Sequence, residues 1–426
     1  MRKKGMALLL SMTLVGMSLA GCGDNSADTQ SNESNETSTI ATTEEEISEP
    51  CTITFWYTYG DQEEEILLNE VIPIWNELHP DITVDCVRQD SSQYNEMVVI
   101  SLGTGQGPDV ARIDITLTAE YAAQGGLVAL SDYDDFGTLS TEYLEGPLST
   151  NLYQGAYYGL PLDTNCKAAV VNTNILQEEL GLTEVPKTME EFIEAAKDRG
   201  TYSLSVSGFG DWDMYPYFWL FGGKLTDDDF TKATGYLNST ESVAAIEKIK
   251  ELHDEKILTI KELDGTADAW DGIEGEYAIF FEGPWYGFAD KKDAGIEPAL
   301  IPSYNGETSS VVGGENIAVF ATSEHPKESY EFAKFMTSEE VQLLMLDAGQ
   351  LPVLKSLVDN EKIQGNDVWA IYMQQLETAM ARIPSPNNTD IGMVWKDAMT
   401  NIFLYNADVQ TELTAAAEKI DSYLQQ

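Results

Sequence analysis

The 426-residue chain carries a formal charge of −48, from 24 basic against 72 acidic side chains. A surface that acidic argues against nucleic acid, whose phosphates need a basic face, and disfavours a strongly anionic ligand unless basic groups are hidden in the fold. The length allows two or three domains, and a 43% hydrophobic content is ample for packed cores.

Arg2, Lys3 and Lys4 precede an apolar run over residues 6–19 that is too short to cross a bilayer as a stable helix and reads as a secretory leader. It ends in Leu19-Ala20-Gly21-Cys22. An apolar residue, two small residues and a cysteine resemble the lipobox of bacterial lipoproteins. That implies a signal peptide over 1–21 and a lipid on Cys22, the mature N-terminus, holding the protein on the outer face of a membrane. The alternative is an ordinary signal peptide with an incidental cysteine. No later apolar run is long enough to span. Residues 23–50 are rich in Ser, Thr, Asn and Glu and hold no aromatic or basic residue. A segment of that composition cannot bury enough apolar surface to offset chain entropy, so 22–50 is expected to be a disordered acidic tether. Cys51, Cys86 and Cys166 are an odd, widely spaced set that suits neither a zinc site nor a disulfide framework, and they read as small buried hydrophobes.

From residue 51 the pattern becomes globular. Residues 52–57, β-branched and aromatic, read as a strand. A helix with Leu67, Val71, Ile74 or Trp75, and Leu78 at near-helical spacing follows, with Pro73 expected to interrupt or kink it. His79-Pro80 stops it, and residues 82–87 form the second strand of a β-α-β unit. A helix over 94–102 leads through Gly103, Gly105 and Gly107 to a third strand at Val110. Those glycines lack the Lys and Ser/Thr of a phosphate loop and precede a strand, so they read as a flexible turn. Thr188 and Glu191 form a capping box, and Val243, Ile246, Ile249 and Leu252 a core stripe. A strand over 277–281 runs into Gly283-Pro284-Trp285, and another spans 317–320. Pro326 and Ser338 open helices. The loop 383–390 is expected to separate the last two helices, the final one striped by Val409, Leu413, Ala416, Ile420 and Leu424.

Several motifs then carry a family resemblance. Gly107-Pro108-Asp109-Val110 leads to Asp114 and Ala119-Glu120, then Gly125-Gly126-Leu127. Tyr158-Gly159-Leu160-Pro161 is followed by Asp163, Asn165 and Asn172. Pro186-Lys187-Thr188, Gly283-Pro284-Trp285, and Gly313-Gly314 before Ile317 complete the order. Together they resemble the extracellular solute-binding protein family 1 of ABC importers, the maltose-binding-protein-like group, over residues 51–426. The resemblance implies an α/β, two-lobed fold, each lobe a mostly parallel sheet flanked by helices, with a carbohydrate in the cleft between them. One lobe would comprise 51–162 plus 313–348, the other 163–312 plus 349–426. Ligand would close the lobes, and the loaded form would dock on a membrane permease powered by a separate ATPase.

The chemistry of sugar recognition points to candidates. Hydroxyls need donors and acceptors of the Asp and Asn kind, while the C–H face of a pyranose suits an aromatic face. Asp163 and Asn165, with Lys167 beyond, share one side of a strand-like segment; a solvated turn is the plainer alternative. Of the run Trp212, Tyr215, Tyr217, Phe218 and Trp219, most should be core, with Trp212 and Tyr215 lining the cleft. Trp285 follows a Gly-Pro turn directly after a strand, a position that in the family presents the indole to the sugar. Gly314 and Glu315, Asp114 at a strand end, and Tyr59 and Asp61 after the first strand complete the set. Leu117 stands where many relatives have an aromatic residue, and Trp395 aligns only loosely with a family tryptophan.

A glycoside hydrolase is the rival class, since two carboxylates suffice for that chemistry. No Gly-x-Ser-x-Gly or His-Glu-x-x-His motif is present. Asp132, Asp134 and Gly137 match a calcium loop only faintly, so neither metal nor cofactor is expected. A polyol or glycerol-phosphate-type ligand on the same scaffold is the alternative among binding functions.

Overall fold

The computed structural model describes residues 50–266 and 269–425. Cys22, the leader and the tether up to residue 49 lie outside the described residues. Cys51–Tyr57 (β1) turns Ile53, Phe55 and Tyr57 inward. The helical segment after it does not break at Pro73. It runs Asp61–Ile66, widens into a π turn at Leu67–Val71, and resumes as Ile72–Leu78, with the Ile72 amide reaching the Leu67 carbonyl. A wider turn immediately before the proline puts the residue without an N–H at the start of a fresh α segment, where that donor is not needed. Ile82–Arg88 (β2) then lies parallel to β1 in register from Cys51↔Ile82 to Tyr57↔Arg88. The helix Tyr94–Thr104 leads to Val110–Asp114 (β3), parallel on the other edge of β1.

A short hairpin, Leu152–Tyr153 (β4) and Ala156–Tyr157 (β5), precedes Leu160–Cys166 (β6). Lys167 alone separates β6 from Ala168–Asn172 (β7), where the chain enters a second sheet. That sheet also contains Leu204–Val206 (β8), Leu258–Ile260 (β9), Ile279–Glu282 (β10) and Ile296–Ala299 (β11), in the order β11-β7-β10-β8-β9. The return strand is Ser310–Val319 (β12). It pairs antiparallel with β6 and then β3, and its first residues pair parallel with Ala379–Met380 (β13). Each sheet is therefore mixed: β12 runs against the parallel set in the first, β7 in the second. Both reversed strands belong to the crossings, because a chain that steps straight from one sheet to the next cannot also run a helical crossover.

Alternation on β7 sends its two faces into two cores. Ala169 and Val171 pack with the helices Met189–Ala196, Asp211–Leu220, Thr240–Asp254, Asn388–Phe403 and Val409–Leu424. Ala168 and Val170 join a cluster that continues through Phe280 and Tyr372 to β1, Trp75 and the helix Pro326–Met336. Thr188 and Ser338 cap their helices through Glu191 and Val341 amides, as expected. Two expectations need correction. The break between the last two helices falls after Phe403, not at 383–390: Asn388 already lies in the penultimate helix, and Asp408 caps the final one through the Thr411 amide. An Asn/Pro-rich stretch favours a helix start as much as a loop, and only its first part stays irregular. Of the cysteines, Cys166 is buried, while Cys51 and Cys86 are only half-buried; all three are free.

Candidate functional site

The two crossing strands lie side by side, and the Asp163 and Glu315 positions face each other across them. Gly314 makes this approach possible. Its φ of 122° is open only to glycine, and a Cβ there would collide with the Asp163 carbonyl and the Thr164 backbone. Asp163 and Glu315 converge on Arg112 of β3. One guanidinium nitrogen, Nη2, lies 2.8 Å from Glu315 Oε2 and 3.5 Å from Asp163 Oδ2. The other, Nη1, donates to Thr58 Oγ1 at 3.1 Å, and the group sits 4.7 Å from the centre of the Tyr59 ring.

Asp163, Arg112 and Tyr59 are buried. Burial opposes the charge on Arg112, but Glu315 and Asp163 outweigh it and hold the guanidinium protonated. Burial raises Glu315 well above the ordinary carboxylate range. Arg112 pulls it down and Asp163, a second negative charge alongside, pushes it up again. Asp163 is raised for the same first reason. Burial therefore favours the protonated form of both carboxylates, against the pull of the one cation between them.

Two residues back along β12, at Gly313, lies an aromatic pair. Trp285 follows Gly283-Pro284 in a 3-10 turn at the end of β10 and is 49% exposed. Trp212, in the first turn of the helix Asp211–Leu220, stacks on it with centroids 5.9 Å apart and planes 25° from parallel. A Cβ on Gly313 would strike both Trp212 and Asn165, and one on Gly283 would strike Trp285, so each indole lies against bare backbone. Lys167, 1% exposed, places Nζ 5.2 Å from the Trp212 ring centre and 2.6 Å from Asp213 Oδ1, with Glu282 Oε2 at 4.0 Å. Glu282 accepts from the Gly283 amide and from Trp270 Nε1, which fixes the turn that carries Trp285. Arg382 lies 5.8 Å from the Trp212 ring centre, 3.8 Å from Asp114 Oδ1 and 3.6 Å from Asp211 Oδ2.

Of the residues singled out from sequence, the fold brings Tyr59, Asp163, Gly314 and Glu315 together around Arg112, and Asn165, Trp212 and Trp285 beside Gly313. Asp114 closes one end, accepting from the Thr116 amide and hydroxyl. Two fall elsewhere. Tyr215 is 2% exposed and packs between Trp219 and Trp395 in the second core. Asp61 is at the surface, paired at 2.8 Å with Arg88. The first turn of that helix, Asp211 to Asp213, is only partly buried and faces the site, while burial sets in at Met214, so Tyr215 one turn further on lies in the core. Trp395 is fully buried and donates Nε1 to the Phe209 carbonyl at 2.9 Å.

Arg112, Asp211, Asp213, Glu282 and Arg382 are the residues sequence reasoning missed. A signal existed for Arg112: a lone cation inside the apolar strand Val110–Asp114 must find buried carboxylates. Arg382 gives no such sign. Its partners are 268 and 171 positions away in the chain.

The chain has relatives among known proteins. Over 333 residues the chain is 26% identical to the maltotriose-binding protein of Pyrococcus abyssi, covering 73% of this chain and 68% of that one. It is 27% identical over 288 residues to the diacetylchitobiose-binding protein of Streptomyces coelicolor, covering 63% and 65%. Among solved structures, the cyclic α-maltosyl-1,6-maltose binding protein of Arthrobacter globiformis superposes with a TM-score of 0.77 at 20% identity, covering 88% of this chain and 99% of that one. Residues 58–343 match the family model for bacterial extracellular solute-binding protein. Since that match spans both crossing strands, the whole second sheet and the Trp285 turn, the chain belongs to the bacterial extracellular solute-binding protein family.

Proposed function

We propose that this protein captures a carbohydrate, most suitably an oligosaccharide, and delivers it to an ABC permease driven by a separate ATPase. The observation that carries the reading is the partly exposed Trp212–Trp285 pair with Lys167 and Arg382, each paired to carboxylates, beside the Trp212 ring. An indole face takes the C–H side of a pyranose, and the charged groups around it satisfy hydroxyls. The relatives named for maltotriose and diacetylchitobiose support it. Around the pair, Arg112, Lys167 and Arg382 face Asp114, Asp163, Asp211, Asp213, Glu282 and Glu315. Carboxylates outnumber cations, which favours a neutral sugar over a glycerol-phosphate-type ligand and leaves a polyol as the second reading.

Hydrolysis fits less well. Asp163 and Glu315 are both drawn to one guanidinium nitrogen, Arg112 Nη2, at 3.5 and 2.8 Å, whereas a glycosidase needs its two carboxyl groups free to flank the scissile bond. A thermal-shift screen over mono- and oligosaccharides tests capture, since a ligand at a hundred times its dissociation constant adds about 3 kcal/mol of stability. Analysis of the same mixtures for products tests turnover. Binding with no new reducing ends supports the receptor reading; cleavage overturns it.

The two lobes of this reading are 51–162 plus 313–348 and 163–312 plus 349–426, moving about the crossing strands when ligand binds. Among the described residues, no helix is long and apolar enough to cross a membrane. In this reading the attachment is a lipid on Cys22, supported by the lipobox-like Leu19-Ala20-Gly21-Cys22. Cys22→Ala should release the protein from membranes or block leader removal, and unchanged retention would refute the anchor.

A further inference from the structure

We propose that Arg382 is a latch across the cleft, a positioning residue that favours the closed arrangement before any ligand arrives. The side chain stands on the segment after β13, next to Ile383, which is buried in the second core. From there it reaches Asp114 at the end of β3 in the first sheet, and Asp211 at the start of the helix that carries Trp212. One guanidinium therefore ties an acid from each side of the cleft. Arg382 also follows β13 of the first sheet by two residues, so separating the first sheet from the second core must break one of the two pairs, with Asp114 or with Asp211.

The contacts suit a reversible tie. Both pairs are long, at 3.8 and 3.6 Å, and Nε is buried without a hydrogen-bond partner. Asp114 already has its Oδ1 engaged by Thr116. The third interaction, with the Trp212 face at 5.8 Å, aligns the group with the platform. A loosely satisfied fork between two carboxylates shifts the population between open and closed forms without locking either one. If ligand binds the closed form, that shift tightens apparent affinity in proportion to the closed fraction. Pairs of this kind alter an equilibrium by up to about fivefold.

The inference rests on the reading that the two sides of the cleft move against each other. Small-angle scattering of the ligand-free protein tests it without knowledge of the ligand. At low ionic strength wild type should be more compact than Arg382→Gln, with Arg382→Lys between and Asp114→Asn like Arg382→Gln. That difference should shrink towards about 1 M salt, where the pairs are screened, while screening of the acidic surface acts on all of them alike. Identical radii and salt responses in wild type, Arg382→Gln and Asp114→Asn would overturn the latch. Should Arg382→Gln fail to fold, Asp114→Asn alone decides, since it removes one arm from a partly exposed site. Calorimetry of wild type with maltotriose reads sugar capture separately: its failure leaves the scattering result standing, and its success does not rescue a latch that scattering has refuted.

Discussion

Truncating Trp285 to alanine separates a ligand platform from a packing residue. An indole presents roughly 250 Å² of surface, so with 49% exposed about 120 Å² stays open. A sugar ring laid on one face covers about half of that, worth about 1.5 kcal/mol at 25 cal/mol per Å² on the protein side alone. An equal area on the sugar brings the sum to about 3 kcal/mol, so affinity should fall roughly 10- to 150-fold. The cost to stability should be small, about 1 kcal/mol for the lost stack on Trp212, well under the 3 to 5 kcal/mol of a core tryptophan. Titration calorimetry with a sugar identified by thermal shift, together with a melting curve of the same variant, reads both quantities. A large fall in melting temperature with unchanged affinity would refute the reasoning, because it would mean that the exposed face is never used.

Trp395→Ala should show the opposite pattern, losing about 3 to 5 kcal/mol from denaturant melts, since its indole is fully buried and its Nε1 bonds the Phe209 carbonyl. Gly313→Ala should displace the Trp212 ring and Asn165, costing about 1 to 3 kcal/mol and weakening sugar binding; an unchanged tryptophan emission spectrum and affinity would contradict the close fit seen here. The raised Glu315 binds its proton more tightly folded than unfolded. Its contribution to stability is therefore complete below the ordinary carboxylate value of about 4.3 and is lost as pH rises through the raised folded value. Glu315→Gln, which has no proton to lose, should flatten that decline in melting temperature, and parallel pH curves for variant and wild type would argue against the raised Glu315. A bound, calorimetrically verified sugar should also reduce the radius of gyration of wild type; no change would speak against closure about β6 and β12.

Much of the local structure could be read from the chain. Alternation of Ile53, Phe55 and Tyr57 marks β1, Thr188 and Ser338 mark helix starts, and the Gly-Pro dipeptide before Trp285 marks a strand that ends by exposing an indole. These follow from short-range rules, in which side-chain period, caps and missing amides act over a few residues. The ordered motifs also sufficed to identify the family. What they left open is which side chains meet. Tyr215 and Trp212 belong to one aromatic run, yet Trp212 stays partly exposed in the first helical turn while Tyr215 and the residues after it are buried over the second core. Pro73 is tolerated because a π turn precedes it, a choice made by the packing of Leu67, Val71 and Trp75 and not by the proline.

The sequence by itself determined the strands, the caps, the acidic balance and the aromatic residues that a sugar site requires. The tertiary structure decided that Arg112, Asp163 and Glu315 share one buried corner, that Lys167 answers to Asp213, and that Arg382 reaches Asp114. Charges buried from water must be paired, but which partner is at hand depends on where the chain crosses between its two sheets, and no local pattern records those crossings.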